Sequence, residues 1–165
     1  NKLGQLKKMI RKPQFPIQQI VYRLAEKQQV NTVFCEETPK TSVIKHEHSN
    51  GPLLASYRGY KQYRWLKTKT CTISLSMGNN CILMTDGTPA LVQNILDDDG
   101  TIVLMCQCFV KTEDAFSYPL PSARLGIYSV CNEMTDLFAL PLSMVAQKCV
   151  LLPYKDSFLV QPLLH

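Results

Sequence analysis

The chain has 165 residues, 45% of them hydrophobic and 19% charged, with a formal net charge of +5. That length and balance fit one domain with an appendage and exclude a chain too polar to fold. No apolar run approaches the ~18 residues of a membrane span, and no signal-peptide pattern is present. A chain that opens on Asn1 rather than Met reads as a piece of a longer protein.

The charge is uneven. Residues 1–70 hold 14 of the 18 Lys and Arg and four of the 13 Asp and Glu, a balance of +10, whereas residues 71–165 carry −5. This pattern predicts a basic segment joined to a mildly acidic body. Such a segment can hold nucleic acid, an acidic partner or an anionic surface, and it can equally be a solvated face. The seven cysteines are odd in number and mostly sit inside apolar runs. Buried Cys behaves as a small hydrophobe, so they read as reduced thiols in an intracellular protein.

The first stretch places Leu3, Leu6, Met9 and Ile10 at helical spacing, with Lys7, Lys8, Arg11 and Lys12 clustered beside them. Pro13 and Pro16 interrupt it, and Pro16 suits the first turn of a second helix. That helix, about 17–29, carries Ile17, Ile20, Val21 and Leu24 as a single apolar stripe suited to docking on a partner or a second copy. Residues 1–30 are thus expected to form a basic helical arm. Residues 31–52 turn polar and carry Pro39, Pro52 and the run Ser49, Asn50, Gly51, which predicts a linker.

From residue 53 the pattern is that of strands. Short runs at 53–58, 60–66, 70–75, 81–85, 90–96, 101–110 and 126–130 are separated by turn residues. Asp86 and Gly87 close one run, and Asp97, Asp98, Asp99 and Gly100 separate two others as a strong hairpin signal. In 101–110, Ile102, Leu104, Cys106, Cys108 and Val110 share one face and Val103, Met105 and Phe109 the other, which predicts a central strand covered twice. Residues 133–140 are expected to form one or two helical turns, with Met134, Leu137 and Phe138 on one side. Residues 145–152 and 157–164 read as a second hairpin across 153–156. No amphipathic helix is available for parallel crossovers, so the expected architecture is mainly β, α+β overall, with a small twisted barrel or sandwich behind the helical arm.

Catalytic chemistry finds little support. Cys106 and Cys108 face one way on a strand but lack a second ligand pair at zinc spacing. His46, Glu47 and His48 do not have the spacing of a metalloprotease helix. Asp86 at a strand end is how some metal-dependent nucleases present a carboxylate, yet Asp before Gly is better explained as a turn. There is no nucleophile elbow and no phosphate-binding glycine loop. No metal, no cofactor and no enzymatic activity are therefore expected.

The most suggestive stretch is 56–69, where Tyr57, Tyr60, Tyr63 and the sole Trp, Trp65, interleave with Arg58, Lys61, Arg64, Lys67 and Lys69. If extended, Tyr57, Tyr63 and Trp65 share a face with Lys61 and Lys67. Such a face can stack bases while cations hold phosphates. It can also cage a methylated lysine, or the aromatics can pack into the core while the cations are solvated.

Two resemblances overlap here. The stretch 80–110, NCILMTDGTPALVQNILDDDGTIVLMCQCFV, resembles the opening of a BAH (bromo-adjacent homology) module, and 145–158, VAQKCVLLPYKDSF, resembles its closing strands. Taken over 53–165, the resemblance implies a twisted β-core that recognises chromatin without catalysis, and it transfers no cage residue. The segments LKKMIRKPQFPIQQIVYRL and VLLPYKDSFLVQPLLH also give the chain the look of the C-terminal region of large transposon-related animal proteins, outside their catalytic core.

The expectation is a non-catalytic nuclear module that binds chromatin or nucleic acid. Lys7, Lys8, Arg11 and Lys12 would contact phosphates, and Tyr60, Tyr63, Arg64 and Trp65 would supply contact area. The alternatives are an intramolecular scaffold or protein-interaction domain docking through Ile17, Ile20, Val21 and Leu24 and, further off, a metal-dependent nuclease fragment built on Asp86.

Overall fold

The computed structural model describes residues 42–163. The expected helical arm, with its Lys7, Lys8, Arg11 and Lys12 cluster and its Ile17, Ile20, Val21 and Leu24 stripe, lies outside them. Among the described residues there is no α-helix. The elements are β1 (Val43–His48), β2 (Lys61–Lys67), β3 (Thr72–Ser74), β4 (Cys81–Met84), β5 (Pro89–Asp98), β6 (Thr101–Cys108), β7 (Thr112–Asp114), β8 (Tyr128–Val130), β9 (Phe138–Pro141), β10 (Val145–Tyr154) and β11 (Ser157–Pro162), with 3-10 turns at Ala55–Tyr57, Ser122–Leu125 and Leu142–Met144.

All strand pairings are antiparallel and join into one eleven-stranded sheet whose main path runs β1-β2-β5-β4-β10-β11-β8-β7. The expected barrel or sandwich is not what forms. Among the described residues the path ends at two edges with no further strand, and the sheet branches instead of closing. One edge of β5 is shared between β4, at Pro89–Leu91, and β2, at Ile95–Asp97, while β6 takes the other edge. β2 likewise divides one edge between β5 and β3. A strand that splits its pairing between two partners sends the sheet in two directions, so the ends do not meet.

Local turn chemistry accounts for the hairpins. Asp98 pairs with Thr101, leaving Asp99 (φ 47) and Gly100 (φ 91) as a two-residue loop. Positive φ at both positions matches the right-handed twist of the flanking strands. Asp97 accepts the Gly100 N–H at 2.8 Å. Asp86 acts as a turn residue too, its carboxylate accepting the Thr88 N–H at 2.8 Å. The β10–β11 hairpin forms in the region expected, with Tyr154 paired to Ser157 across Lys155 and Asp156.

Two expected elements take other forms. Residues 53–58 make no strand: Leu53, Leu54, Tyr57 and Tyr60 pack as a cover over Leu96, Val103 and Met105. The residues at 133–140 stay extended instead of helical, and β9 pairs with β6 from Phe138↔Cys106 to Val103↔Pro141. Met134, Leu137 and Phe138, placed on one side by helical spacing, go to three different apolar clusters. The unpaired edge of β6 captures this segment, and ladder hydrogen bonds outweigh its weak local helical signal. In addition, β1 forms inside the polar run expected to be a linker.

β6 is central and covered on both faces, as its pattern predicts, but the strand ends at Cys108: Val110 is exposed, and Phe109 packs with Cys81 and Val130 and not with Val103 and Met105. Ile102, Leu104 and Cys106 enter the main core with Leu66, Ile82 and Ile95, while Val103 and Met105 face the cover from 53–60. A further cluster, with Cys81, Val130, Cys149 and Val160, lies under β10, β11 and β8.

Candidate nucleic-acid interface

The candidate site is built on β2. Lys61 at its start is exposed, and Tyr63 lies opposite buried Ile95, packed against the main cluster. Leu66, three residues later, is also in that cluster, although strict alternation would turn it to the opposite face. The alternation therefore breaks between them. Across the break on β1 sits His46, held at φ 63, a conformation uncommon for a residue with a Cβ. At this kink Arg64 and Trp65, adjacent in the chain, line the same open cleft of about 410 Å³ with His46, Ser74, Leu75 and Ser76.

The cleft has a defined polar frame. Lys45 is the cross-strand partner of Trp65, and its Nζ lies 5.4 Å from the ring centroid. On the other side Trp65 pairs with Ser74, whose Oγ is 2.7 Å from Ser76 Oγ. Arg64 Nη2 donates to Asn50 Oδ1 at 3.1 Å, and His48 Nδ1 donates to the same oxygen at 3.0 Å. His48 Nε2 is buried without a partner among the described residues. Among these residues the one ion pair is Lys111–Glu113 at 2.8 Å, so Lys45, Arg64, Lys67 and Lys69 have no carboxylate partner there.

A buried amide pair anchors the segment that follows β1. Gln62 Oε1 accepts from Gly51 N at 2.9 Å and from Asn94 Nδ2 at 2.8 Å; Asn94 Nδ2 also reaches Pro52 O at 3.2 Å. These bonds hold the chain after β1 against the sheet and seat Asn50 beside Arg64.

The structure divides the sequence-predicted contact residues. Arg64 and Trp65 come together at the cleft. Tyr63 is partly buried against the main core, and Tyr60 stands with Tyr57 over Leu96, their ring centroids 5.4 Å apart. The charge of Asp98, ahead of burial, raises the Tyr60 phenol above its ordinary pKa, placing that ring beside the acidic β5–β6 turn. Tyr57, Tyr63 and Trp65 therefore do not form one face, and Trp65 is the one aromatic residue lining the cleft, short of the several rings of a methyl-lysine cage. Reading 31–52 as a linker missed Lys45, His46 and Asn50; the β-branched pair Val43 and Ile44 was the available signal for a strand there.

The other chemical candidates are accounted for by structure. The six cysteines among the described residues are free thiols. Burial, then Cys108, pushes the Cys106 thiol up to about 12, so it is held protonated inside the core. Cys149 stands opposite Cys81 and its pKa is raised, first by their hydrogen bond and then by burial. Among the described residues no three His, Cys, Asp or Glu side chains converge as a metal site, and no helix is long and apolar enough to cross a membrane.

Residues 47–163, β2 to β11 and the end of β1, match a family model described as a domain of unknown function (DUF8592). No curated protein and no solved structure matches the chain.

Proposed function

The chain belongs to the DUF8592 family, and within it we propose a non-catalytic recognition module that binds single-stranded nucleic acid. Trp65 is the stacking surface; Lys45, Arg64 and Lys67 take the phosphates. The observation that carries this reading is the placement of the sole Trp, partly exposed, in an open cleft beside Arg64 and under Lys45, with no carboxylate paired to those cations among the described residues. An aromatic face accepts any base, and unpaired cations follow the backbone. A duplex hides its base faces, so unpaired strands are the better ligand for one exposed indole. Lys7, Lys8, Arg11 and Lys12 carry the same phosphate chemistry in the sequence before the sheet. A nuclear, chromatin-associated setting and the recognition role implied by the BAH resemblance accord with this proposal.

The test is fluorescence anisotropy of a labelled twelve-nucleotide oligo(dT) and of a duplex of equal length, over a salt series. The single strand binds more tightly, and log K falls linearly with log salt. Changing Lys67→Met shallows that slope by about 0.7, the value for one phosphate contact on a single strand. Absence of oligo(dT) binding at low salt overturns the proposal.

A further inference from the structure

Lys45 stands where a stacked base needs to be. Its ammonium sits over one face of the Trp65 ring, 5.4 Å from the centroid, and Lys45 and Trp65 are direct cross-strand partners, so the contact follows from sheet register. Lys45 itself is exposed. At an exposed site a cation over an indole is favoured by only about 2- to 5-fold, whereas a nearby phosphate offers the ammonium a full opposite charge.

We propose that Lys45 is an exchangeable cap on Trp65, drawn off the ring by phosphate so that a base can take its place. This inference rests on the recognition reading above and adds a selection rule to it. A neutral aromatic compound must displace the cap unaided. A nucleotide brings the phosphate that removes the cap together with the base that replaces it. The site thereby favours ligands that carry an unpaired base and an anionic backbone in one chain.

The only Trp in the sequence is at the site, so intrinsic fluorescence reads it directly. The probes are adenosine, which has a base and no phosphate, and inorganic tripolyphosphate, which has charge and no base. Adenosine quenches Trp65 in the wild-type chain, and K45M binds it about 2- to 5-fold more tightly because the ring face is free. Saturating tripolyphosphate raises the wild-type affinity for adenosine by a similar factor and leaves K45M unchanged. K111M, which removes the same charge from an exposed position outside the cleft, leaves adenosine binding as in the wild type. For oligo(dT) the sign reverses, and K45M binds more weakly. Adenosine affinity that is equal or lower in K45M, or no quenching of either protein, overturns the cap. Oligo(dT) binding decides the recognition reading separately, so the two can fail independently.

Discussion

Lys148 extends its ammonium from β10 to the carbonyl of Thr72 on β3, with Asn79 Oδ1 as a second acceptor at 3.3 Å, although the two strands share no ladder. The residue is only 8% exposed, and neither acceptor is a carboxylate. The same contact ties β3, and with it Ser74 beside Trp65, to the far part of the sheet.

Replacing Lys148 with Met keeps the apolar stem and removes both hydrogen bonds. The Thr72 carbonyl and the Asn79 amide oxygen then lose a charged donor at a partly buried contact. Urea denaturation should show a loss of about 1–3 kcal/mol, with faster hydrogen exchange at the Leu75 amide, which donates to Arg64 O at 3.1 Å. Unchanged stability and exchange would mean that the sheet holds β3 without this contact.

Gly51 is required by packing. A Cβ there would stand 2.3 Å from Asn94 Nδ2, and Asn94 is fully buried and held by Gln62, Pro52 and Ile95. Gly59, at φ +95, has nothing within 4 Å of the same added atom. Gly51→Ala should cost about 2–3 kcal/mol by overpacking and lost hydrogen bonds. Gly59→Ala should cost about 1 kcal/mol from backbone conformation alone. Equal midpoints in thermal denaturation would refute the buried-amide account.

The raised pKa of Cys106 sets an alkaline limit. Its thiol moves from an ordinary 9.0 to about 12 in the folded chain, chiefly by burial. The folded state then binds the proton more tightly than the unfolded state between those values. The stabilisation is complete below pH 9 and is lost as pH rises toward 12, by about 1.4 kcal/mol per pH unit. Stability measured in urea from pH 8 to 10.5 should fall, and Cys106→Val should flatten part of the decline; Cys149, raised as well, contributes another part. A wild-type slope retained in Cys106→Val would show that Cys106 is not its source.

The aromatic residues of 57–65 should separate by phenotype. Trp65→Leu should weaken oligo(dT) binding by about 5- to 150-fold, the range for one stacked base, with little change in melting temperature. Tyr63→Ala should destabilise the fold by roughly 2–4 kcal/mol through loss of core contacts, with binding by the remaining folded protein unchanged. Equal binding losses at both positions would return Tyr63 to the interface.

Much of the local structure is legible in the sequence because turns are local chemistry. Asp99 with Gly100, Asp86 with Gly87, and the pattern of β6 identify their elements without reference to distant residues. The segments at 53–60 and 133–140 are different: their own spacing is ambiguous, and each conformation is decided by the apolar face or open strand edge it meets. β1 is similar, since a run as polar as Lys45, His46, Glu47 and His48 becomes a strand only because β2 supplies its partner.

The same division applies to the interface. The sequence by itself determined a β-rich body with hairpins at its Asp-Gly turns, and it marked 56–69 as an aromatic and basic stretch. Only the tertiary structure decided that the sheet stays open and branched, that Tyr60 and Tyr63 are committed to packing, and that Arg64 and Trp65 share a cleft under Lys45. The physical reason is that a strand's alternation assigns faces only while its twist is regular. At the kink opposite His46 it is not, and which ring remains open to solvent depends on strands far away in the chain.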